Sequence, residues 1–425
     1  MKKLSLLLVL FLFSCQSISK KIELPEILKP NEESSAAETH QQFESRDLAV
    51  EQAQLKKVQV ALFLPFSGKN KELGWSLFNA ATLSLFDNDP NHNIELILID
   101  SKETPQEAAK AFKEVIDRKI KIVIGPIFST LVEAIEKDAK ANQINVISLS
   151  NNQQLIGKIN NEGGIFIAGM LPEAQIDKIV NYSLQKAKFS FAIIAPNNQY
   201  GQTMNGLFQK MVKNRDGDFI SSEFYDPSGK DLDRAVNRVI NSFSISPHLK
   251  NKKNAVITES DRTYPKVIII PESGKILSKI VASIKQQNKE EREFQIIGTS
   301  QWDDVSTLND FNLVGAWFPA PENEKFRNFE KAYYKIYNKF PPRISSIIYD
   351  SVSVVAELSD RKKGEAPTIA DFTNYSKSSK NGFDGIDGLF RYLPNGLVQR
   401  NLAVLKVGNG RFETIEKPVE QFLKY

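Results

Sequence analysis

One cysteine in 425 residues excludes an internal disulfide, and three scattered histidines offer no zinc cluster. Neither sign of charge dominates. The 55 Lys and Arg are interspersed with 51 Asp and Glu, which leaves no basic stripe for a nucleic-acid backbone. Beyond a short apolar stretch at the start, no run approaches the roughly 20 residues of a membrane-spanning helix. No Walker A, HExxH or GxSxG sequence occurs, so the phosphate loop, the zinc-protease helix and the nucleophile elbow are missing. His40, His92 and His248 have no nucleophile beside them in sequence. Asp216-Gly217-Asp218 opens like a calcium loop but lacks the later ligands and the closing Glu. The "FDGIDG" of 383–388 reads as glycine turns. The expectation is a non-enzymatic protein with no metal and no cofactor.

What is present begins at that cysteine. Met1-Lys2-Lys3 is basic and Leu4 to Phe13 is almost wholly apolar, the pattern of an export signal. Leu12-Phe13-Ser14-Cys15 resembles the lipobox of bacterial lipoproteins. The resemblance implies a signal peptide over 1–14, cleavage before Cys15, and lipid on its sulfur and on the new amino terminus. Gln16, where Asp would favour the inner membrane, favours the outer one. The alternative is an ordinary signal peptide with a chance cysteine. Residues 15–56 are polar and read as a flexible tether whose ends lie roughly 35 Å apart as a coil.

From Val58 the texture changes. Short β-rich runs such as "VQVALFLP", "IELILID", "IKIVIGP", "FSFAIIAP" and "KVIIIP" alternate with helical stretches. Near-continuous apolar strands separated by helices mean parallel sheets covered on both faces. Thr104-Pro105-Gln106-Glu107 predicts a capping box, with Ala108, Ala111, Phe112, Val115 and Ile116 at helical spacing behind it. A second helix is expected near Thr130. The polar insert 246–265 reads as a surface loop, and no strong internal sequence repeat is evident.

Several segments together, in order and spacing, resemble the type 1 periplasmic binding proteins of the leucine-binding class. They are "LFLPFSG" at 62–68, "IVIGPIFST" at 122–130, "INVISLSNN" at 144–152, "NNQYGQT" at 197–203 and "IIYDSV" at 347–352. The resemblance covers about 57–425. It implies an α/β fold of two lobes, each a mostly parallel sheet flanked by helices, joined by a multi-strand hinge. Lobe one is expected to hold 57–169 and 320–383, and lobe two 170–319 and 384–425. A narrower resemblance is to the penicillin-binding protein activators, carried by "GTSQWDD" at 298–304, "GAWFPAPE" at 315–322, "PPRISSIIYD" at 341–350 and "GFDGIDGLFRYLPNGLVQRNLAVLKV" at 382–407. Better-known members carry a helical repeat domain first; here the tether stands in its place and is far too short to hold one.

In the solute-binding relatives an amino acid lies between the lobes. The resemblance therefore implies ligand contacts at Ser129, Thr130, Ser148, Ser150 and Asn151, which follow two strands of lobe one. Thr130 can equally cap its own helix. Tyr200 stands at the family's "YG" tyrosine. Ser300 stands where the family has a Glu, with Asp303 and Asp304 just beyond, so the clamp for a ligand ammonium looks half-built. Trp302 either packs as bulk or reaches a ligand, and Asp350 reads as a hinge carboxylate. The functional expectation is a lipid-anchored periplasmic regulator that binds and activates a peptidoglycan synthase. The alternative is a solute-binding lipoprotein of an ABC-type importer for amino acids or related small molecules.

Overall fold

The computed structural model describes residues 57–155, 164–243, 266–289, 291–374 and 380–423. The export signal, Cys15, the tether and the 246–265 insert lie outside the described residues. Lys56–Tyr425 form one compact unit. Among the described residues, no helix is long and apolar enough to cross a membrane.

The first sheet is built from β1 (Val58–Leu64), β2 (Ile94–Asp100), β3 (Ile122–Ile124), β4 (Asn145–Ser148) and β5 (Ile165–Ile167). Its order is β2-β1-β3-β4-β5, and all of its pairings are parallel. Three helices connect these strands: α1 (Lys71–Asn88), α2 (Pro105–Asp117) and α3 (Ser129–Ala141). α2 starts behind Thr104 with Pro105 as its sequence predicts, but with half of the expected capping box, since the Glu107 carboxylate accepts from the Thr104 hydroxyl at 2.7 Å. Thr104 Oγ1 accepts from Glu107 N at 3.3 Å, and Ala108, Phe112 and Val115 are buried against the sheet. The second expected helix begins at Ser129, one residue before Thr130. Phe128 occupies its N-cap and makes no side-chain cap, so Thr130 is not the capping residue.

The second sheet repeats the plan with different residues. Its parallel part runs β10 (Trp317–Ala320), β9 (Phe294–Ile297), β8 (Lys266–Ile269), β6 (Ser190–Pro196) and β7 (Asp218–Tyr225), the same 2-1-3-4-5 winding read from the other edge. β14 (Ala403–Val407) and β15 (Phe412–Glu416) extend it as antiparallel strands. Helices α4 (Pro172–Gln185), α5 (Gln199–Asn214), α6 (Leu232–Ser242) and α7 (Gly274–Gln287) belong to this lobe. The topological repeat is thus present without a repeat in sequence. In both lobes the winding reverses beside the first strand, which opens a crevice at the strands' C-terminal ends.

Two further helices, α8 (Asn323–Tyr337) and α9 (Ser345–Arg361), pack on the first lobe; Phe329, Tyr333 and Ile348 join its core. A small antiparallel sheet of β11 (Phe383–Gly385), β12 (Gly388–Tyr392) and β13 (Val398–Arg400) lies there too. Ile386, Phe390, Tyr392 and Val398, expected in lobe two, pack in the first core. Their burial needs that core because three short strands have little interior of their own. The chain returns to the second sheet only after Arg400.

Asp350 on α9 ties this region together. Its Oδ1 accepts from Ile386 N at 2.7 Å, and its Oδ2 pairs with Arg400 Nη1 at 3.2 Å. Arg400 Nε also donates to Ala168 O, where the chain first leaves lobe one. Burial raises the Asp350 carboxyl to about 6, against the lowering influence of Arg400.

Candidate functional site

A cavity of about 350 Å³ lies between the lobes at the C-terminal ends of the strands. Its apolar wall includes Ile127, Phe128, Leu149, Met170 and Ile347. Its polar lining includes Ser150, Asn151, Ser300, Asp303, Arg343 and Asp387.

The lining comes from both lobes, and a charged cluster joins them. Asp303 follows the short 3-10 turn Ser300–Trp302 behind β9 of the second lobe. Arg343 sits just ahead of α9 and Asp387 between β11 and β12, both on the first lobe. Arg343 Nε donates to Asp303 Oδ2 at 2.8 Å, and its Nη1 donates to Asp387 Oδ1 and Ser346 Oγ, each at 2.8 Å. Ser346 Oγ in turn donates to Asp387 Oδ2 at 2.7 Å. The guanidinium lies over the Phe326 ring at 4.1 Å. Burial disfavours its charge, but Asp387 and then Asp303 outweigh that and push its pKa up, so it stays protonated. Two carboxylates share one cation.

Arg343 Nη2 is buried and has no hydrogen-bond partner among the described residues. A buried donor left unmet costs about 1–3 kcal/mol. It belongs to a residue that lines the cavity.

The residues expected from sequence divide into two groups. Ser150, Asn151 and Ser300 line the cavity. Ser129, Thr130, Ser148, Tyr200 and Trp302 do not. Ser148 Oγ is fully buried and donates to Pro126 O at 2.9 Å, bracing the loop after β3. Trp302 is fully buried in the second core, its ring tilted against Phe318 at 6.2 Å, and its Nε1 donates to Glu272 O at 2.8 Å. It packs so closely on Gly298 that a Cβ there would come within 2.2 Å of the indole. Trp302 therefore packs as a core residue and is not part of the cavity lining. Ser300 spends its backbone N–H on Gln175 Oε1 at 2.8 Å.

Tyr200 belongs to a second polar group at the strand ends of lobe two. Burial pushes its hydroxyl up to about 12, with the Thr299 side chain bonded to it and Glu272 nearby. Glu272 accepts from Tyr225 Oη at 2.5 Å and from Ser273 N at 3.1 Å. The carboxylate missing at position 300 thus has a neighbour in Glu272, but its oxygens already hold donors.

Sequence reading missed Arg343 and Asp387. One signal was available: a cation placed just before a helix start opposes the helix dipole, and it needs acids to hold it. Among the described residues, no group of three or more His, Cys, Asp or Glu is placed to hold a metal.

Comparisons place this architecture. A family model described as "Periplasmic binding protein" matches residues 57–411. The chain is 26% identical over 276 residues to "Uncharacterized protein RP748" of Rickettsia prowazekii (strain Madrid E), spanning 63% of this chain and 69% of that one. Among solved structures, a branched chain amino acid ABC transporter periplasmic ligand-binding protein from Burkholderia xenovorans LB400 superposes with a TM-score of 0.65. Its identity is 14%, over 85% of this chain and 94% of that one. The branched-chain amino acid transporter substrate binding protein LivJ from Streptococcus pneumoniae, in complex with isoleucine, gives a TM-score of 0.56. Its identity is 18%, over 86% and 99%. At these identities the likeness is one of fold. With the family model matching most of its length, and with two wound sheets facing each other across a lined cleft, the chain belongs to the periplasmic binding protein family.

Proposed function

We propose that this protein is a solute receptor whose ligand is held between the lobes, in the manner of the binding component of an ABC-type importer. The observation that carries the reading is the cavity of about 350 Å³, lined from both lobes at the strand ends. That is the volume range of small-molecule sites, and its mostly apolar wall with a few convergent polar groups is their usual chemistry. Family membership implies a periplasmic location. Cys15 would carry the lipid that holds the chain to a membrane. Replacing Cys15 with Ser should then release the protein from the membrane fraction, and retention there would sink the anchor.

Calorimetric titration and thermal shift of the purified chain against amino acids, organic acids, amides and cell-wall peptides test the reading. Saturable binding with a rise in melting temperature supports it. No response across the panel overturns it.

One observation favours a second reading, the activation of a peptidoglycan synthase. The segments that resemble the activator branch hold Asp303, Arg343, Asp350 and Asp387, which are the residues of the inter-lobe cluster and the hinge. In that reading these segments fix the lobes' relation for a partner. Pull-down of a synthase by the purified chain, lost in an Asp303 variant, would support it.

A further inference from the structure

Helix α8 turns one side to the first lobe, where its Phe329 and Tyr333 are buried. Its other side is basic. Arg327, Lys331 and Lys335 stand four residues apart there, all exposed, and exposed Lys339 follows just past the helix end. Cations that are interspersed with acids over the whole sequence are gathered here by helical spacing. Among the described residues, none of the four forms a salt bridge or a side-chain hydrogen bond. The acids nearby lie off the row. Glu322 and Glu324 precede it at the helix start, and half-buried Glu330 lies inward of it, close to Arg327 and Arg343.

Like charges four residues apart weaken a helix. The helix dipole favours Lys335 in the last turn, but it gives no reason for Arg327 and Lys331 in earlier turns. Apolar side chains flank the row. Tyr334 and Phe340 stack with their ring centroids 4.7 Å apart, and Phe340 and Ile336 are 68% and 58% exposed.

We propose that this face of α8 docks on the surface of an anionic lipid bilayer. The four cations meet the lipid phosphates, and Tyr334, Ile336 and Phe340 sit at the level of the headgroups. The proposal is independent of what the cleft binds, and none of these residues lines the cleft cavity.

Charge complementarity and the apolar flank together choose this occupant. Four or more Lys and Arg clustered on a helix are what an anionic leaflet attracts. Aromatic side chains suit the membrane–water boundary, where the ring leaves water and a tyrosine hydroxyl stays wet. A strongly acidic protein surface would answer the cations and leave Ile336 and Phe340 facing charge.

Co-sedimentation with vesicles tests this. The purified full chain carries Cys15→Ser, so that no acyl chain on that sulfur adds to the binding. The vesicles are phosphatidylcholine alone, or phosphatidylcholine with one third phosphatidylglycerol. At low salt the chain should bind the anionic vesicles at least tenfold tighter, and ~0.5 M salt should remove the difference by screening. Lys331→Glu with Lys335→Glu should weaken binding to anionic vesicles about 25-fold or more, since each cation near such a surface contributes about fivefold. Lys110→Glu with Lys113→Glu makes the same charge change on the exposed side of α2, and it should leave binding within about threefold, the residue of long-range attraction left by screening. If the α8 double variant fails to fold, Lys331→Gln with Lys335→Gln, which keeps good helix formers, is read in its place.

Equal binding to the two vesicles, or binding to neither, overturns the proposal. So does a folded α8 variant that keeps the wild-type affinity. An α2 variant that loses as much as the α8 variant also overturns it, because the attraction would then belong to net charge and not to this face.

Discussion

Asp303 of the second lobe and Arg343 of the first meet at 2.8 Å inside the cleft, 40 residues apart in the chain. The pair is a non-covalent strut between two bodies otherwise connected through the hinge. Asp303 is well buried, with 7% of its side chain exposed. Salt screens such a pair much less than an exposed one.

Asp303→Ala should therefore let the lobes part. Small-angle scattering should show a larger radius of gyration than the wild type, and the wild-type value should hold in 0.5 M salt. The stability loss should be about 2 kcal/mol, below the ~3–5 of a fully buried pair broken on one side, because Asp387 still neutralises Arg343. An unchanged radius would show that the strut does not set the lobe angle.

The inner strands were legible because each lies between two layers and has nearly every side chain inside, whereas the edge strands β2 and β7 are only partly buried. "SFAIIAP" is buried along its whole length. Thr104-Pro105 was legible because a helix start is a local problem, solved within four residues. The cluster at the cleft was not legible, because Asp303, Arg343 and Asp387 come from three connections and only the meeting of two lobes assembles them. Ser148 misled for a related reason. A hydroxyl after a strand looks the same in sequence whether it faces a ligand or braces Pro126, and here it braces.

Trp302 should behave as a core residue. Trp302→Ala should cost about 3–5 kcal/mol, the range for emptying a large aromatic site. Trp302→Phe should cost less and leave solute affinity unchanged, read by chemical denaturation and titration on the same sample. A marked loss of affinity in a well-folded Trp302→Phe would restore the indole to the site.

Asp350 gives the stability a pH dependence of known sign. Its carboxyl is raised to about 6 in the fold, chiefly by burial, from 3.8 when unfolded. Between these values the folded state binds more protons than the unfolded one, so this contribution is full below about 4 and is lost as pH rises through about 6. Asp350→Asn cannot titrate. The fall in melting temperature from pH 4.5 to pH 6.5 should be steeper in the wild type than in the variant. The variant should also be less stable overall, since Arg400 would keep its charge in a buried place without its acid. Equal slopes would mean that Asp350 stays charged throughout.

Gly201 explains why the tyrosine–glycine pair begins α5. A Cβ at Gly201 would lie 1.9 Å from Pro196 O, so the helix can cross the end of β6 only with hydrogen there. Gly74 repeats the relation in the first lobe, 2.0 Å from Pro65 O. Neither contact is with a flexible side-chain tip, so relief requires moving backbone. Gly201→Ala should cost about 3 kcal/mol, the upper end of ordinary overpacking, because a main-chain carbonyl must give way. The shift of α5 would also unseat Tyr200, which the preceding position holds in a buried site. Its hydroxyl should then titrate nearer the ordinary tyrosine range than about 12. Phenolate absorbance of the variant minus wild type, followed from pH 9 to 12 on protein verified as folded, reads this one group against the other ten tyrosines. A stable Gly201→Ala protein with no early-titrating tyrosine would show that the strand end yields and that the glycine does not position Tyr200.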